Sequence, residues 1–217
     1  HVLDEADVDD WVAVAKVSNG VVRQAVADNL QRAQVPAYDK VLEPLQFDGN
    51  PLTRAGALDA QIKRRRPTML ARFDELVEDS YEWTRFGAMY AAGLFKSETD
   101  GIGPRAAMML RLLETSEDPV DVMGAALAMK MLTGQVYGFR PEEVRIQEQS
   151  VDEASLGTFM SDAAGRRQAA QKWREHFGAA AVWTDGDRAK TLEKLLAHAD
   201  PKNAERAKIA LEMLRKK

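Results

Sequence analysis

Arginines at positions 23, 54 and 85 recur every 31 residues, inside segments that resemble one another: SNGVVRQAVADNL (18–30), GNPLTRAGALDAQ (49–61) and SYEWTRFGAMYAA (80–92). Two positions after each arginine stands a small residue, Ala25, Gly56 or Gly87. Apolar residues follow in register, first Val26, Ala57 and Ala88, then Ala27, Leu58 and Met89. Small residues at a fixed register mark a place where neighbouring helices approach closely. The period continues in the other half of each unit. Pro36 opens PAYDKVLEPL and Pro67 opens PTMLARFDEL, again 31 residues apart, with Leu42 matching Phe73 and Leu45 matching Leu76. A further copy, PRAAMMLRLL from Pro104, keeps Leu110 and Leu113 but is offset by 37, so KSETDGIG (96–103) carries an insertion. A fourth first-half copy, VMGAALAMKML (122–132), has Met123 in the arginine's place. A period of this length is the signature of a repeat architecture.

Both halves of the unit read as helices. Asn19, Asn50, Ser80 and Asp118 stand where N-caps are needed, and Pro51 and Pro119 fit a first helical position. Pro36 and Pro67 fit the first turn of the second helix, and alternating β-branched runs are scarce. A hairpin of two such helices cannot bury both its apolar faces alone, so the copies must stack. After Gly134 the pattern loosens. Residues 136–165 read as a long connection with one short helix, and helices resume over 165–178, 186–199 and 201–217. The last two form a hairpin joined at Asp200-Pro201, whose charged final helix suits the open end of a stack. The expected organisation is therefore helical-hairpin repeats over 1–139, then an irregular connection and C-terminal capping helices over 140–217, within one continuous domain.

The segments VVRQAVADNL, LTRAGALDAQ and WTRFGAMYAA, with Asp48 and Asp79 near the turns between units, resemble the HEAT-repeat superfamily in its short bacterial form. LTGQVYGF (132–139), followed by RRQAAQKWREHFG (166–178), is similar to a terminal segment of bacterial HEAT-like proteins, where such a turn precedes a tryptophan-bearing helix. The resemblance spans residues 17–178. It implies an all-α fold, an α-α superhelix used as a binding scaffold or adaptor, with no universal catalytic residues. Met123, the insertion and residues 140–165 depart from the pattern.

Composition narrows the chemistry. The chain of 217 residues has no cysteine, which excludes disulfides, thiolate metal sites and cysteine nucleophiles. A net charge of −4 argues against nucleic acid as the main partner, because phosphate binding ordinarily needs a basic domain. No apolar run reaches the length of a membrane helix. The chain begins at His1, so a removed leader is one reading, and the compartment stays open between cytoplasm and export. The histidines are His1, His176 and His198, without HExxH spacing, and neither a phosphate loop nor a nucleophile elbow is present. LDEAD (3–7) therefore matches a helicase motif by coincidence, and DEADVDD (4–10) lacks calcium-loop spacing. No cofactor or metal is expected.

Three groups of residues remain as candidates. Lys63, Arg64, Arg65 and Arg66 precede Pro67 at the end of a first helix, where cations face the negative end of the helix dipole. Helix termination is the favoured reading of this run, with an anion contact as the alternative. Arg23, Arg54 and Arg85 form a structural ladder, each guanidinium suited to bridging stacked turns. In HEAT-like superhelices the second helices line the concave side. On that resemblance Asp39, Lys40, Glu43, Arg72, Asp74, Glu75 and Arg111 form a mixed-charge strip for a protein or peptide. Trp173, Tyr137 and Phe139 are expected to anchor the irregular segment, and the methionines from Met108 to Met131 to fill core gaps. The leading expectation is a non-enzymatic scaffold with an unidentified protein or peptide partner. The rival is an enzyme of the HEAT-like DNA glycosylase type, drawing on Trp83, Arg85, Tyr90 and the run 63–66.

Overall fold

The computed structural model describes residues 5–96, 102–140, 144, 146, 147, 150–152 and 162–216. The inserted loop and most of the 140–165 connection fall outside these residues. Among the described residues the α-helices are α1 (Val8–Ala15), α2 (Gly20–Leu30), α3 (Asp39–Leu45), α4 (Pro51–Lys63), α5 (Phe73–Leu76), α6 (Glu82–Leu94), α7 (Ile102–Thr115), α8 (Pro119–Thr133), α9 (Ala163–Phe177), α10 (Asp185–Leu195) and α11 (Pro201–Arg215). The β-structure among them is a two-residue antiparallel ladder, Ile146↔Val151 and Gln147↔Ser150. The chain divides into two compact units, His1–Gly87 with Ala189–Lys217, and Ala88–Arg188.

In the first unit the turn chemistry starts the helices where the polar residues stand. Asn19 Oδ1 accepts from the Val21 N–H, and Asn50 Oδ1 from those of Leu52 and Thr53. At the third copy the register is one residue later than Ser80 suggests. Tyr81 stands opposite Asn19 and Asn50, and α6 starts at Glu82. Tyrosine offers no short acceptor for the first helical turn, while Asp79 Oδ1 takes the Tyr81 N–H just as Asp48 Oδ1 takes that of Asn50. The second halves open as 3-10 turns rather than α-helix, over Pro36–Tyr38 and Pro67–Arg72. Pro44 lies inside α3, whose seven residues end directly after it.

The core of this unit gathers Val26, Ala27 and Leu30 of α2, Tyr38, Val41, Leu42 and Leu45, and Ala57 and Ala60 of α4. Each fully buried leucine contributes about 1.5–3 kcal/mol relative to exposure. The small residues sit where α-helices touch. A Cβ on Gly56 would lie 3.6 Å from Ala27 Cβ of α2, and one on Gly87 3.5 Å from Leu58 Cδ1 of α4. Ala27 and Leu58 are themselves 31 residues apart, so the same contact is made twice. The α10–α11 hairpin packs Leu192, Leu195, Ala207 and Leu211 together. Its turn lies against the N-terminal repeats, where a Gly49 Cβ would meet the Ala199 carbonyl at 3.4 Å.

In the second unit α7 packs on both α8 and α9. α7 starts at Ile102, two residues before Pro104. Apart from Asp121 and Lys130, α8 carries apolar residues on every face, with Val120 to Ala126, Ala128 and Met129 buried, as in a helix enclosed by neighbours. Gly134, at φ 75°, ends it in the left-handed conformation, its N–H bonded to the Lys130 carbonyl at 2.7 Å. Trp173 of α9 is fully buried and donates Nε1–H to the Gln135 carbonyl at 3.3 Å. Tyr137 meets its ring edge-on with centroids 5.3 Å apart, and Phe139 is buried as well.

Candidate functional site

The repeated arginines organise the turns of the first unit. Each donates Nη1–H to the carbonyl six residues before it, Arg23 to Val17 at 2.7 Å, Arg54 to Asp48 at 2.8 Å and Arg85 to Asp79 at 2.8 Å. Arg23 also reaches Asp48 of the next copy, with Nε–Oδ2 2.5 Å and Nη2–Oδ1 2.8 Å. These bonds hold its guanidinium pKa above the usual range. Arg54 reaches Asp79 in the same way, 25 residues on, with Nη2–Oδ1 2.8 Å. Its Nε lies 2.8 Å from Oδ2 as an ion contact, the N–H not being aimed for a hydrogen bond. So Asp48 and Asp79 each take one arginine on the carboxylate and the next on the carbonyl.

Arg54 differs from Arg23 in carrying a second carboxylate. Asp200 Oδ2 lies 2.9 Å from its Nη2, and the Arg54 side chain is 0% exposed. Asn203 adds an amide donor to Asp79 Oδ2 at 2.9 Å and accepts the Ser80 N–H. Half-buried His198 completes the cluster, its Nδ1 accepting the Asp200 N–H at 2.9 Å. Burial pushes its pKa down, and the Arg54 charge pushes the same way. Asp79 and Asp200 pull it up in part, and Arg72 adds a smaller downward effect.

The basic run is spent on the fold. Arg65 has φ 55°, and the Arg66 N–H bonds back to the Gln61 carbonyl at 2.9 Å while the Arg65 N–H bonds to Ile62 at 3.0 Å. This is the left-handed helix stop that glycine usually serves. On either side of it, Arg64 and Arg66 grip the preceding second helix. The Arg64 side chain is fully buried and donates to the Ala33 and Val35 carbonyls and to Asp39 Oδ1 at 2.7 Å. Arg66 Nε meets Asp39 Oδ2 at 2.9 Å. Lys63 pairs at the surface with Asp59 and Gln31.

The mixed-charge strip is therefore not uniformly open. Asp39 is buried between Arg64 and Arg66, and Glu75 is buried against Arg72 and near Lys194. Asp74 accepts from Thr191 Oγ1 at 2.7 Å, which ties it to α10. Arg111 belongs to the second unit, where its guanidinium faces the Trp183 ring at 5.1 Å. Lys40, Glu43 and Arg72 remain exposed and come together. With Pro44, Phe47, Thr68 and Met69 they line a groove of about 720 Å³ between α3 and the 67–72 turn. Arg72 Cζ lies over the Phe47 ring, 3.3 Å from its centroid. Gln46 Nε2 and Thr68 Oγ1 are buried in the groove wall without a hydrogen-bond partner among the described residues.

Sequence reasoning left Phe47 and Asn203 unnamed, placed Asp200 only at a hairpin joint and gave His198 no role. Asp200 has a local signature only as a helix cap, which it is, accepting the Lys202 N–H at 2.9 Å. Nothing local announces that its other oxygen meets Arg54. Among the described residues no group of three or more histidines, aspartates and glutamates converges as metal ligands would. Also among them, no helix is long and apolar enough to cross a membrane. No family model matches the chain, and no curated protein sequence is significantly similar to it.

Proposed function

We propose that this chain is a HEAT-like helical-repeat scaffold whose stacked hairpins form an α-α superhelix that binds a protein or peptide. The groove of about 720 Å³ carries this reading, because it lies along the second halves of two successive units. Its apolar floor of Phe47, Pro44 and Met69 suits a partner's side chains, and Lys40, Glu43 and Arg72 at the rim suit its charges. Gln46 Nε2 and Thr68 Oγ1 are unmet hydrogen-bonding capacity in the wall, which a peptide backbone would complement after a small side-chain movement. The repeated Arg–Asp contacts and the repeated Gly56 and Gly87 approaches support the stacking itself.

The nucleic-acid alternative loses support from the same geometry. Arg64 and Arg66 are committed to Asp39, and Lys63 to Asp59. A labelled duplex titrated at two salt concentrations checks it, since phosphate binding would weaken steeply with salt. The scaffold reading is tested by a pull-down from native extract with the intact chain beside a Lys40→Glu, Glu43→Lys double variant. Both positions are exposed and make no ion pair among the described residues, so the variant should fold. Retention of one protein by the intact chain alone is the expected outcome. The same proteins held by both chains would count against the groove.

A further inference from the structure

We infer that His198 is a pH-sensitive latch on the α10–α11 hairpin. Its neutral imidazole holds the hairpin's turn on the ladder, and protonation loosens that turn from Arg54 and Asp79. The hairpin reaches the ladder through three residues of one turn, His198, Asp200 and Asn203. His198 Nδ1 accepts the Asp200 N–H at 2.9 Å, which requires an unprotonated nitrogen. Asp200 then presents Oδ1 to the Lys202 N–H and Oδ2 to Arg54. The Asn203 amide nitrogen lies 3.3 Å from His198 Nδ1 and 2.9 Å from Asp79 Oδ2. Losing the first bond therefore disturbs the residues that make the other two.

The charged groups facing the imidazole come from every element around it. Arg54 lies on α4, Asp79 in the turn before α6, Asp200 on its own turn, and Arg72 in the 67–72 turn. The two carboxylates would welcome an imidazolium, but they are already held. Asp79 is engaged by Arg54, Asn203 and the Tyr81 N–H, and Asp200 by Arg54 and the Lys202 N–H. Burial and the two arginines oppose the charge, and their net effect lowers the imidazole pKa. A base with a lowered folded pKa stabilises the fold above its ordinary value of about 6.5. That contribution is lost as pH falls through the folded value.

The test is amide hydrogen exchange of α11 from about pH 8 down to about pH 5, normalised to intrinsic rates, in the intact chain and in a His198→Asn variant. Asparagine keeps an acceptor two residues before the Asp200 N–H but does not titrate. In the intact chain α11 should exchange roughly fivefold faster relative to α2 at the acid end, the effect of one lost hydrogen bond. The variant should show no such change. Equal pH dependence in the two chains would overturn the latch. Should the variant fail to fold, the imidazole titration of the intact chain by NMR decides. A His198 midpoint at or above the ordinary histidine range overturns the proposal, and one below it supports it.

Discussion

The turns before α4 and before α8 meet the same demand with different parts. In the first unit the arginine comes from within the helix that follows the turn, and Arg54 donates to the Asp48 carbonyl six residues back. In the second unit the matching position of α8 is Met123, which is buried and has nothing to donate. There the guanidinium arrives from α9, where buried Arg166 donates Nε–H to the Leu113 carbonyl at 3.1 Å and Nη2–H to Ser116 at 3.4 Å. Ser116 Oγ in turn donates to Asp121 Oδ2 at 2.9 Å, and Asp118 caps α8. The carbonyls that end one helix and precede the next need donors when they are buried. The fold supplies the donor without preserving its place in the chain.

The most damaging way to break that comparison is Arg54→Met. It leaves Asp79 and Asp200 facing each other in the interior, and breaking such a pair typically costs about 3–5 kcal/mol. Urea unfolding of the variant would record the loss, and a change under about 1 kcal/mol would mean that water reaches the site. Arg166→Met, which strands the neutral Leu113 and Ser116 carbonyls, should cost less, about 1–3 kcal/mol. If the same titration ranked Arg166→Met above Arg54→Met, the equivalence drawn between the two turns would fail. Lys63→Ala sets the floor of the series. Its ion pair with Asp59 is about half exposed on both sides, so Tm should move by no more than the effect of about 0.5 kcal/mol.

How far these contacts were legible depends on their reach. Arg23, Arg54 and Arg85 declared themselves through the 31-residue interval, and Asp48 and Asp79 share it. The 25-residue step from arginine to aspartate could have been read too, since it occurs for both Arg23 and Arg54. The same step in reverse joins Arg64 to Asp39 and would have shown that the basic run was occupied. Ser80 misled because serine is a good cap in isolation, whereas the period places Tyr81 at the cap. Asp200 and Arg166 lay beyond such reasoning. Their partners are 146 and about 50 residues away in sequence, and no periodicity connects them. The groove was half legible. Glu43 follows from the register of the second helices, with Lys40 and Arg72 beside it, but Phe47 under Arg72 belongs to a turn and has no pattern of its own.

The docking of α10–α11 on the N-terminal part of the first unit also sets an order of events during synthesis. Arg54 and Asp79 leave the ribosome well before Asp200 and Asn203, which complete their surroundings 146 and 124 residues later. Between them the whole of residues 88–188 is made and can collapse on its own contacts. The first unit is thus begun before the second and completed after it, held meanwhile in a state where Asp79 lacks its Asn203 donor. Closing that long loop is the slow step expected of contacts so distant in sequence. A nascent chain arrested before residue 200 should therefore be cut by protease within its N-terminal repeats more readily than the released protein.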